Sequence, residues 1–229
     1  MASIWIASGS IYKKKEFKSL FSNINGASFS VKIPKEENIE FNPEETGSSF
    51  FENAFIKAHF LYDLVGEPVI ADDSGLCIDA LDGLPGVYSA RYAGKKHTPP
   101  PSQKNKKEGA GAYFAGGRLS REERNKLVLR EMEGETNRAA RFVCALVLLI
   151  DENRFFCAQE TLEGEIVKTA GSGCGGFGYD PIFYIPEKQK TAAELSMDEK
   201  NAISHRGKAA AAIASFLPRF FPKDVPSKK

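Results

Sequence analysis

The sequence has few of the features that mark membrane-bound, secreted or nucleic-acid-binding proteins. It contains no apolar run of 18 residues, the length that a membrane-spanning helix needs. The apolar stretch in MASIWIASGS at the amino terminus is too short for a signal peptide. The 31 basic and 30 acidic residues give a net charge of +1, so no global field attracts nucleic acid or an anionic membrane. We therefore expect a soluble, cytoplasmic protein that binds neither.

Cysteine is also scarce, and its spacing argues against two kinds of site. The four cysteines are Cys77, Cys144, Cys157 and Cys174. They are scattered, without a C-x-x-C pair and without a histidine-rich partner segment, which argues against a structural zinc site and against a dense disulfide framework. We expect reduced thiols that serve only in packing.

The length allows one large domain or two small lobes over residues 1–229, with ample apolar material for a core at 42% hydrophobic residues. Residues 95–117 differ from the rest of the chain, since they combine three consecutive prolines with many lysines and glycines. Such a segment cannot bury enough apolar surface to become ordered alone. The composition therefore predicts a flexible surface insertion.

Outside that segment, strand and helix signals alternate irregularly. Capping-box pairs predict helix starts at Ser49 with Glu52, Ser120 with Glu123, and Ser196 with Glu199. Compact apolar runs predict strands over residues 4–7, 68–71 and 139–150, and RFFCAQETLEGEIVK is predicted to form strand, turn and strand. This pattern is typical of an α/β fold with a mixed sheet.

Two adjacent aspartates, Asp72 and Asp73, follow the strand PVIA at its predicted end. They could belong to a polar turn, or to a site that binds a cation. Alternation along a strand directs neighbouring side chains to opposite faces, so only one of the two can face a given cleft. Ligands in open α/β folds bind beyond the carboxyl ends of strands, which favours the functional interpretation.

The segment ASGSIYKKKEF joins the first predicted strand to a helix start. Free backbone N–H groups, the positive end of a helix dipole and three lysines could hold a triphosphate there. The alternative is an ordinary solvated first turn, and the G-x-x-x-x-G-K-[ST] pattern of a phosphate-binding P-loop is absent. Glu44 and Glu45, before the next helix, could stabilise its dipole or hold a divalent ion together with the aspartates.

Near the carboxyl end, GSGCGGFGYDPIFY satisfies G-x-G-x-x-G, but aromatic residues and a proline replace the helix that a dinucleotide fold requires. Glycines beside Phe177 and Tyr179 instead suit close approach to a flat ring. His205 and Arg206, in EKNAISHRGKA, offer adjacent hydrogen-bond donors.

Taken in order, ETGSSFFENAFIKA, ADDSGLCIDALDGLPGVYSARYAG, GFGYDPIF, KTAAEL and EKNAISHRGKA resemble the inosine triphosphate pyrophosphatase family, in its bacterial branch. The resemblance spans residues 4–217. It implies an elongated α/β fold of two lobes, with a long mixed sheet flanked by helices and an active cleft between the lobes. It also implies a homodimer and Mg²⁺-dependent hydrolysis of aberrant purine nucleoside triphosphates (ITP, dITP and XTP) to the monophosphate and pyrophosphate.

The resemblance also implies roles for individual residues. Asp73 is similar to the general base and magnesium ligand, Asp72 to its supporting neighbour, and Glu44 to the second magnesium ligand, with Glu45 as the alternative. The remaining residues would contact the substrate: Ser8, Gly9, Ser10, Ile11, Tyr12, Lys13, Ser74, Phe177, Gly178, Tyr179, Asp180, Lys200, His205 and Arg206. This chain departs from the family pattern at Ser10, where asparagine is usual, and in the length of its 95–117 insertion.

Elementary chemistry agrees with this assignment. A triphosphate carries about four negative charges, which lysines, backbone N–H groups and a divalent ion can neutralise during attack by water. The 6-oxo group of hypoxanthine and xanthine accepts hydrogen bonds where adenine carries a donor, so a site rich in donors can distinguish these bases. Three alternatives remain: a nucleotide sensor without catalysis, a pyrophosphatase for other modified nucleotides, and a structural α/β protein.

Overall fold

The computed structural model describes residues 2–9, 11–21, 29–94, 119–169 and 177–220. Seven strands form one mixed sheet in the order β2-β1-β3-β4-β5-β6-β7. The first three neighbours are parallel and the β5-β6-β7 end is antiparallel. The mixed α/β fold expected from the sequence is confirmed. The predicted insertion at residues 95–117 lies outside the described ranges.

The strands are β1 (Ala2–Ile6), β2 (Phe29–Lys32), β3 (Val69–Ile78), β4 (Ala139–Asp151), β5 (Arg154–Ile166), β6 (Phe183–Ile185) and β7 (Lys190–Thr191). The helices are α1 (Ile11–Phe21), α2 (Phe50–Val65), α3 (Arg121–Glu131), α4 (Met197–Ile203), α5 (His205–Ala214) and α6 (Leu217–Phe220). Short 3₁₀ turns occupy several of the connections. None of the helices in the described ranges is both long and apolar enough to cross a membrane.

The three predicted capping boxes are present. The side chains of Ser49, Ser120 and Ser196 each accept a hydrogen bond from the backbone N–H three residues later. The glutamate side chain at that later position accepts in turn from the backbone N–H of the serine. These pairs satisfy backbone donors that a helix start would otherwise leave unpaired. They fix where α2, α3 and α4 begin.

Strand β3 is longer than the sequence suggested, so the prediction that it ends at the aspartates is wrong. It continues for five residues beyond Asp73. Leu76 and Ile78 are fully buried, and their burial extends the strand past the two charges. Asp72 and Asp73 therefore lie in the middle of a strand.

The predicted turn inside β5 is also absent, since Arg154–Ile166 is one continuous strand. Gly164 lies within this strand. A Cβ added there would lie 2.4 Å from the carbonyl oxygen of Tyr184 and 2.6 Å from the ring of Phe183. This glycine permits close approach of β6 rather than a change of direction.

The chain divides into two compact units. The first contains residues 1–73, 144–160 and 206–229, and its core joins β1 and β4 to α1 and α5 through Ile4, Ile6, Phe17, Leu146 and Ile213. The second contains residues 74–143 and 161–205. Its core surrounds Leu76, Tyr88, Tyr92, Ile182 and Phe183.

Candidate functional site

The first unit places a basic turn beside the start of α1. Strand β1 ends at Ile6, and the N–H of Ala7 still donates to Ile70 of the neighbouring strand at 2.8 Å. The chain then turns through Ser8 and Gly9 before α1, which carries Lys13 on its first turn. Ser10 lies outside the described residues, as do the side chains of Ile11 and Tyr12.

Asp72 is buried and faces α1 and α5. Lys13 Nζ donates to both carboxylate oxygens, at 2.8 and 3.0 Å. Nε and Nη2 of Arg206 approach Oδ2 of Asp72, each at 3.3 Å. The same guanidinium donates through Nη1 to both oxygens of Glu16, at 2.9 and 3.0 Å. Asp72 is therefore held by two cations in a buried network.

That network determines the protonation of Asp72. Burial alone would raise the pKa of this carboxyl, but Lys13 and Arg206 hold its pKa far below the ordinary range. Asp72 is thus a fixed negative charge. It can orient a cation, but it cannot accept a proton at neutral pH.

Asp73 faces α2 instead, as strand alternation predicts. Lys57 Nζ donates to Oδ1 of Asp73 at 2.9 Å, and Asn53 Nδ2 donates to Oδ2 at 3.2 Å. Lys57 also reaches Oε1 of Glu45 at 3.2 Å. One ammonium group is therefore shared by two carboxylates.

This surrounding shifts the pKa of Asp73 in the direction opposite to that of Asp72. Burial raises the pKa of Asp73 above its ordinary value, and the nearby Glu45 adds to the rise, while Lys57 opposes it. Burial also disfavours charge on Lys57, but Asp73, Asp72 and Glu45 more than compensate and raise its pKa. Asp73 is the carboxylate better suited to accept a proton.

A polar pocket of about 240 Å³ opens beside these groups. It is lined by residues 7–9 and 41–43 and by the side chains of Lys13, Glu45 and Lys57. Two ammonium groups and a strand-to-helix turn thus meet in one concave surface of the first unit. Such a lining favours a ligand with several negative charges.

The oxygen ligands in this unit fit a divalent cation that retains water. In the residues that the structure describes, no group of three or more histidine, cysteine or acidic side chains is arranged around a common point. However, Asp73 and Glu45 converge on Lys57, and Mg²⁺ in proteins often uses one or two carboxylates together with substrate phosphates. The side chain of Glu44, the expected ligand, is exposed, so the geometry favours the alternative, Glu45.

The second unit holds a separate group of predicted residues around an exposed aromatic ring. Phe177 is 61% exposed, and its backbone N–H donates to the buried carboxylate of Asp180. Lys200 Nζ donates to the same Asp180 oxygen at 2.5 Å. Gly178 has a φ of +63°, a conformation that favours glycine in this turn. The turn thus presents a flat ring on a fixed backbone.

Other predicted contacts in this unit are buried. The hydroxyl of Tyr179 donates to the carbonyl oxygen of Ser89 at 2.9 Å. The ring of His205 stacks on Phe142 with centroids 5.1 Å apart. Ser74, next to Asp73 in β3, is half-buried. Tyr179 and His205 therefore support the turn and the start of α5, and their contact with a nucleotide remains a prediction.

Sequence reasoning missed three residues that the structure brings to the aspartates: Lys57, Asn53 and Glu16. The first two lie one helical turn apart on α2, next to the buried Ala54 and Ala58. Polar residues on the buried side of an amphipathic helix were the available signal. The prediction that Arg206 contacts the nucleotide also stays a prediction, and its guanidinium binds Glu16 and Asp72.

Comparison with known proteins gives a consistent result along the whole chain. The model of the Ham1 family matches residues 4–108 and 109–216. A dITP/XTP pyrophosphatase of Treponema denticola is 48% identical over 214 residues, which cover 93% of this chain and 97% of that relative. A dITP/XTP pyrophosphatase of Coxiella burnetii is 40% identical over 227 residues, 96% of this chain and 99% of the relative.

Solved structures agree. A HAM1 protein from Coxiella burnetii superposes with a TM-score of 0.77 at 38% identity, covering 96% of this chain and all of that one (100%). The Ham1 protein of Staphylococcus aureus gives a TM-score of 0.76 at 35% identity, with 95% and 99% of the two chains covered.

Proposed function

This chain belongs to the Ham1 family, and from that premise we propose that it hydrolyses aberrant purine nucleoside triphosphates to the monophosphate and pyrophosphate. Relatives that match more than nine-tenths of the chain are dITP/XTP pyrophosphatases. The substrates are dITP and XTP, together with the closely similar ITP. The protein is therefore a hydrolase that acts on phosphoanhydride bonds.

The observation that carries the proposal is the pocket in which Lys13 and Lys57 meet the turn after β1, beside Asp73. Lysine ammonium groups bind phosphate oxygens as point charges, and the start of α1 adds backbone N–H groups. Positive charge fixed in place before the reaction lowers the cost of charge that develops on phosphate oxygens during attack by water. The pocket therefore suits the triphosphate.

Asp73 is the proposed general base. Its carboxylate is held on both oxygens, and burial raises its pKa towards the range where it can accept a proton from water. Asp72 has a different role. It fixes the ammonium of Lys13 at the edge of the pocket and, being firmly ionised, takes no proton.

Asp73 and Glu45 are the residues that would hold Mg²⁺. When bound, the ion would neutralise phosphate charge and favour the leaving pyrophosphate. Lys57 contacts both carboxylates and keeps them from repelling each other before the ion and substrate arrive.

We assign recognition of the base to the second unit. Phe177 offers a ring for stacking, and Asp180 with Lys200 holds its turn. Stacking accepts any base, so discrimination must come from hydrogen-bond donors that match the 6-oxo group, of which Lys200 and His205 are candidates. A donor facing the 6-amino group of adenine would lack an acceptor, which disfavours ATP.

A cytoplasmic location and a homodimeric state complete the proposal. Size-exclusion chromatography with light scattering measures the oligomeric state, and cell fractionation measures the location. A monomer at micromolar concentration would remove the dimer from the proposal without affecting the chemistry.

The activity is tested by identifying the products. Purified protein with Mg²⁺ is given dITP, XTP, ITP, dGTP and ATP in parallel, and pyrophosphate and phosphate are assayed separately. We expect pyrophosphate from dITP, XTP and ITP and little from ATP, whose 6-amino group would face a donor; dGTP, which also carries a 6-oxo group, measures whether its 2-amino group is excluded separately. Release of phosphate in place of pyrophosphate, or no turnover by folded protein, would contradict the proposal.

A further inference from the structure

Asn53 is a fully buried side chain on α2 whose two polar ends have different surroundings. Its Nδ2 donates to Oδ2 of Asp73 at 3.2 Å. Its Oδ1 is buried and has no hydrogen-bond partner among the residues that the structure describes. One end of the amide thus donates to Asp73, and the other end has no hydrogen-bond partner in the described part of the chain.

The orientation of this amide is fixed by chemistry. The reverse orientation would point the amide oxygen at a carboxylate oxygen, and both are acceptors. Asn53 therefore keeps its donor towards Asp73 and leaves its acceptor unpaired.

Gly47 closes the space behind the amide. A Cβ added at Gly47 would lie 2.7 Å from Oδ1 of Asn53 and 2.8 Å from its backbone nitrogen. The main chain before α2 consequently passes directly against this side chain. Asn53 has no room to move away from Asp73 on that side.

A buried carbonyl oxygen without a partner lowers stability, whereas an apolar side chain of the same shape would not. Packing alone therefore gives no reason for asparagine at position 53. The bond to Asp73 does, since unfavourable local features persist in folded proteins where they serve a site.

Asn53 and Lys57 act on the same carboxylate from one face of α2. They are four residues apart, so they lie one above the other on the helix. Lys57 binds Oδ1 of Asp73 and Asn53 binds Oδ2. Each oxygen then retains a second lone pair that can accept from water or bind a cation. The two donors together fix the plane of the carboxylate.

We propose that Asn53 is a positioning residue that fixes the carboxylate plane of Asp73 for the reaction. The proposal rests on the proposed function, because it concerns the residue assigned as general base. It assigns Asn53 no contact with the nucleotide. Removing it should misdirect Asp73 while leaving the phosphate pocket of Lys13 and residues 7–9 in place.

The test is Asn53→Leu, which keeps the shape and removes the donor. We expect kcat for dITP to fall about 10- to 100-fold, the scale of a misplaced catalytic group, with KM nearly unchanged. The melting temperature should stay close to that of the parent, because removal of the unpaired amide oxygen offsets the lost bond to Asp73.

Asn125→Leu is the matched control. Asn125 is also a buried helical asparagine whose Oδ1 has no partner in the described part of the chain, but it lies on α3 in the second unit. Asn125→Leu should leave kcat at the parent value. Should Asn53→Leu fail to fold, Asn53→Ser, which remains polar but is too short to replace the amide, gives the same measurement.

The outcomes separate the two proposals. A parent enzyme that releases no pyrophosphate from dITP or XTP means that the proposed function has failed. An active parent with a folded Asn53→Leu or Asn53→Ser of equal kcat overturns the positioning role alone. A rise in KM with unchanged kcat would also overturn it, since that would indicate a binding role.

Discussion

Asp72 and Asp73 are neighbours in β3, but the two sides of that strand differ in their balance of charge. On one side, Lys13 and Arg206 surround the carboxylate of Asp72, and Glu16 completes the network. On the other side, a single ammonium, that of Lys57, serves both Asp73 and Glu45. The Asp72 side has two cations for two carboxylates, whereas the Asp73 side has one cation for two carboxylates.

Because of this difference, two chemically identical side chains have different protonation behaviour. The pKa of Asp72 is depressed, so this residue is a permanent charge that organises its surroundings. The pKa of Asp73 is raised, chiefly by burial, so this residue can exchange a proton or accept a metal ion. The surroundings, rather than the residue type, determine which aspartate we propose as the general base.

Neutralising the structural aspartate should have the largest effect on stability. Asp72→Asn leaves Lys13 and Arg206 without their shared carboxylate in a buried site, which typically costs about 3–5 kcal/mol. Urea unfolding measures the free energy of unfolding. Asp73→Asn is the control, with a smaller expected loss, because Lys57 keeps the carboxylate of Glu45 when its pair with Asp73 is removed. Equal losses would remove the contrast between the two sides.

Substitution of Glu45 and of Glu44 tests which glutamate holds Mg²⁺ together with Asp73. Glu45→Gln should raise the Mg²⁺ concentration for half-maximal rate by about tenfold or more, because Glu45 is the carboxylate that converges with Asp73 on Lys57. Glu44→Gln should change it little. The measurement is the initial rate on dITP over a titration of Mg²⁺, and the reverse ranking would restore Glu44 as the ligand.

A smaller effect is expected from the base-recognition group in the second unit. Phe177→Ala should raise KM for dITP about tenfold with a smaller change in kcat, since stacking on an aromatic side chain contributes about 1–3 kcal/mol per base. Phe155→Ala removes another exposed ring, 45% exposed, and serves as the control with unchanged KM. Unchanged kinetics in Phe177→Ala would remove that ring from the site.

Acid provides the mildest perturbation of the Asp72 side. A carboxyl with a depressed pKa in the folded state stabilises the fold above its ordinary pKa, about 3.9, and this contribution is lost as pH falls below that value. The melting temperature of the parent should therefore fall more steeply below about pH 4 than that of Asp72→Asn. If the melting temperatures of the two proteins fell equally with pH, Asp72 would make no pH-dependent contribution to stability.

Much of this arrangement could be predicted from local sequence. Capping boxes at Ser49, Ser120 and Ser196 locate helix starts because their bonds span only three residues. Strand alternation correctly separates Asp72 from Asp73. These features depend on neighbours along the chain, which the sequence displays directly.

Contacts between distant segments could not be predicted in this way. Lys57 meets Asp73 across 16 residues, and Arg206 meets Glu16 across 190, so their roles depend on how the elements pack. The role of Gly164 could not be predicted for the same reason, since the residue that it approaches, Tyr184, is on another strand. The preference for Glu45 over Glu44 in the proposal rests on the position of Lys57, which also depends on packing.

The most direct test of this division of work is Asp73→Asn, with two quantities measured on one folded preparation. The dissociation constant for dITP, measured without Mg²⁺, should stay close to that of the parent, because Lys13 and the turn after β1 are unchanged. The rate of pyrophosphate release should fall by about 10³-fold or more, because the general base is lost. Turnover within a few-fold of the parent would contradict the assignment of Asp73 and with it the contrast between the two sides of β3.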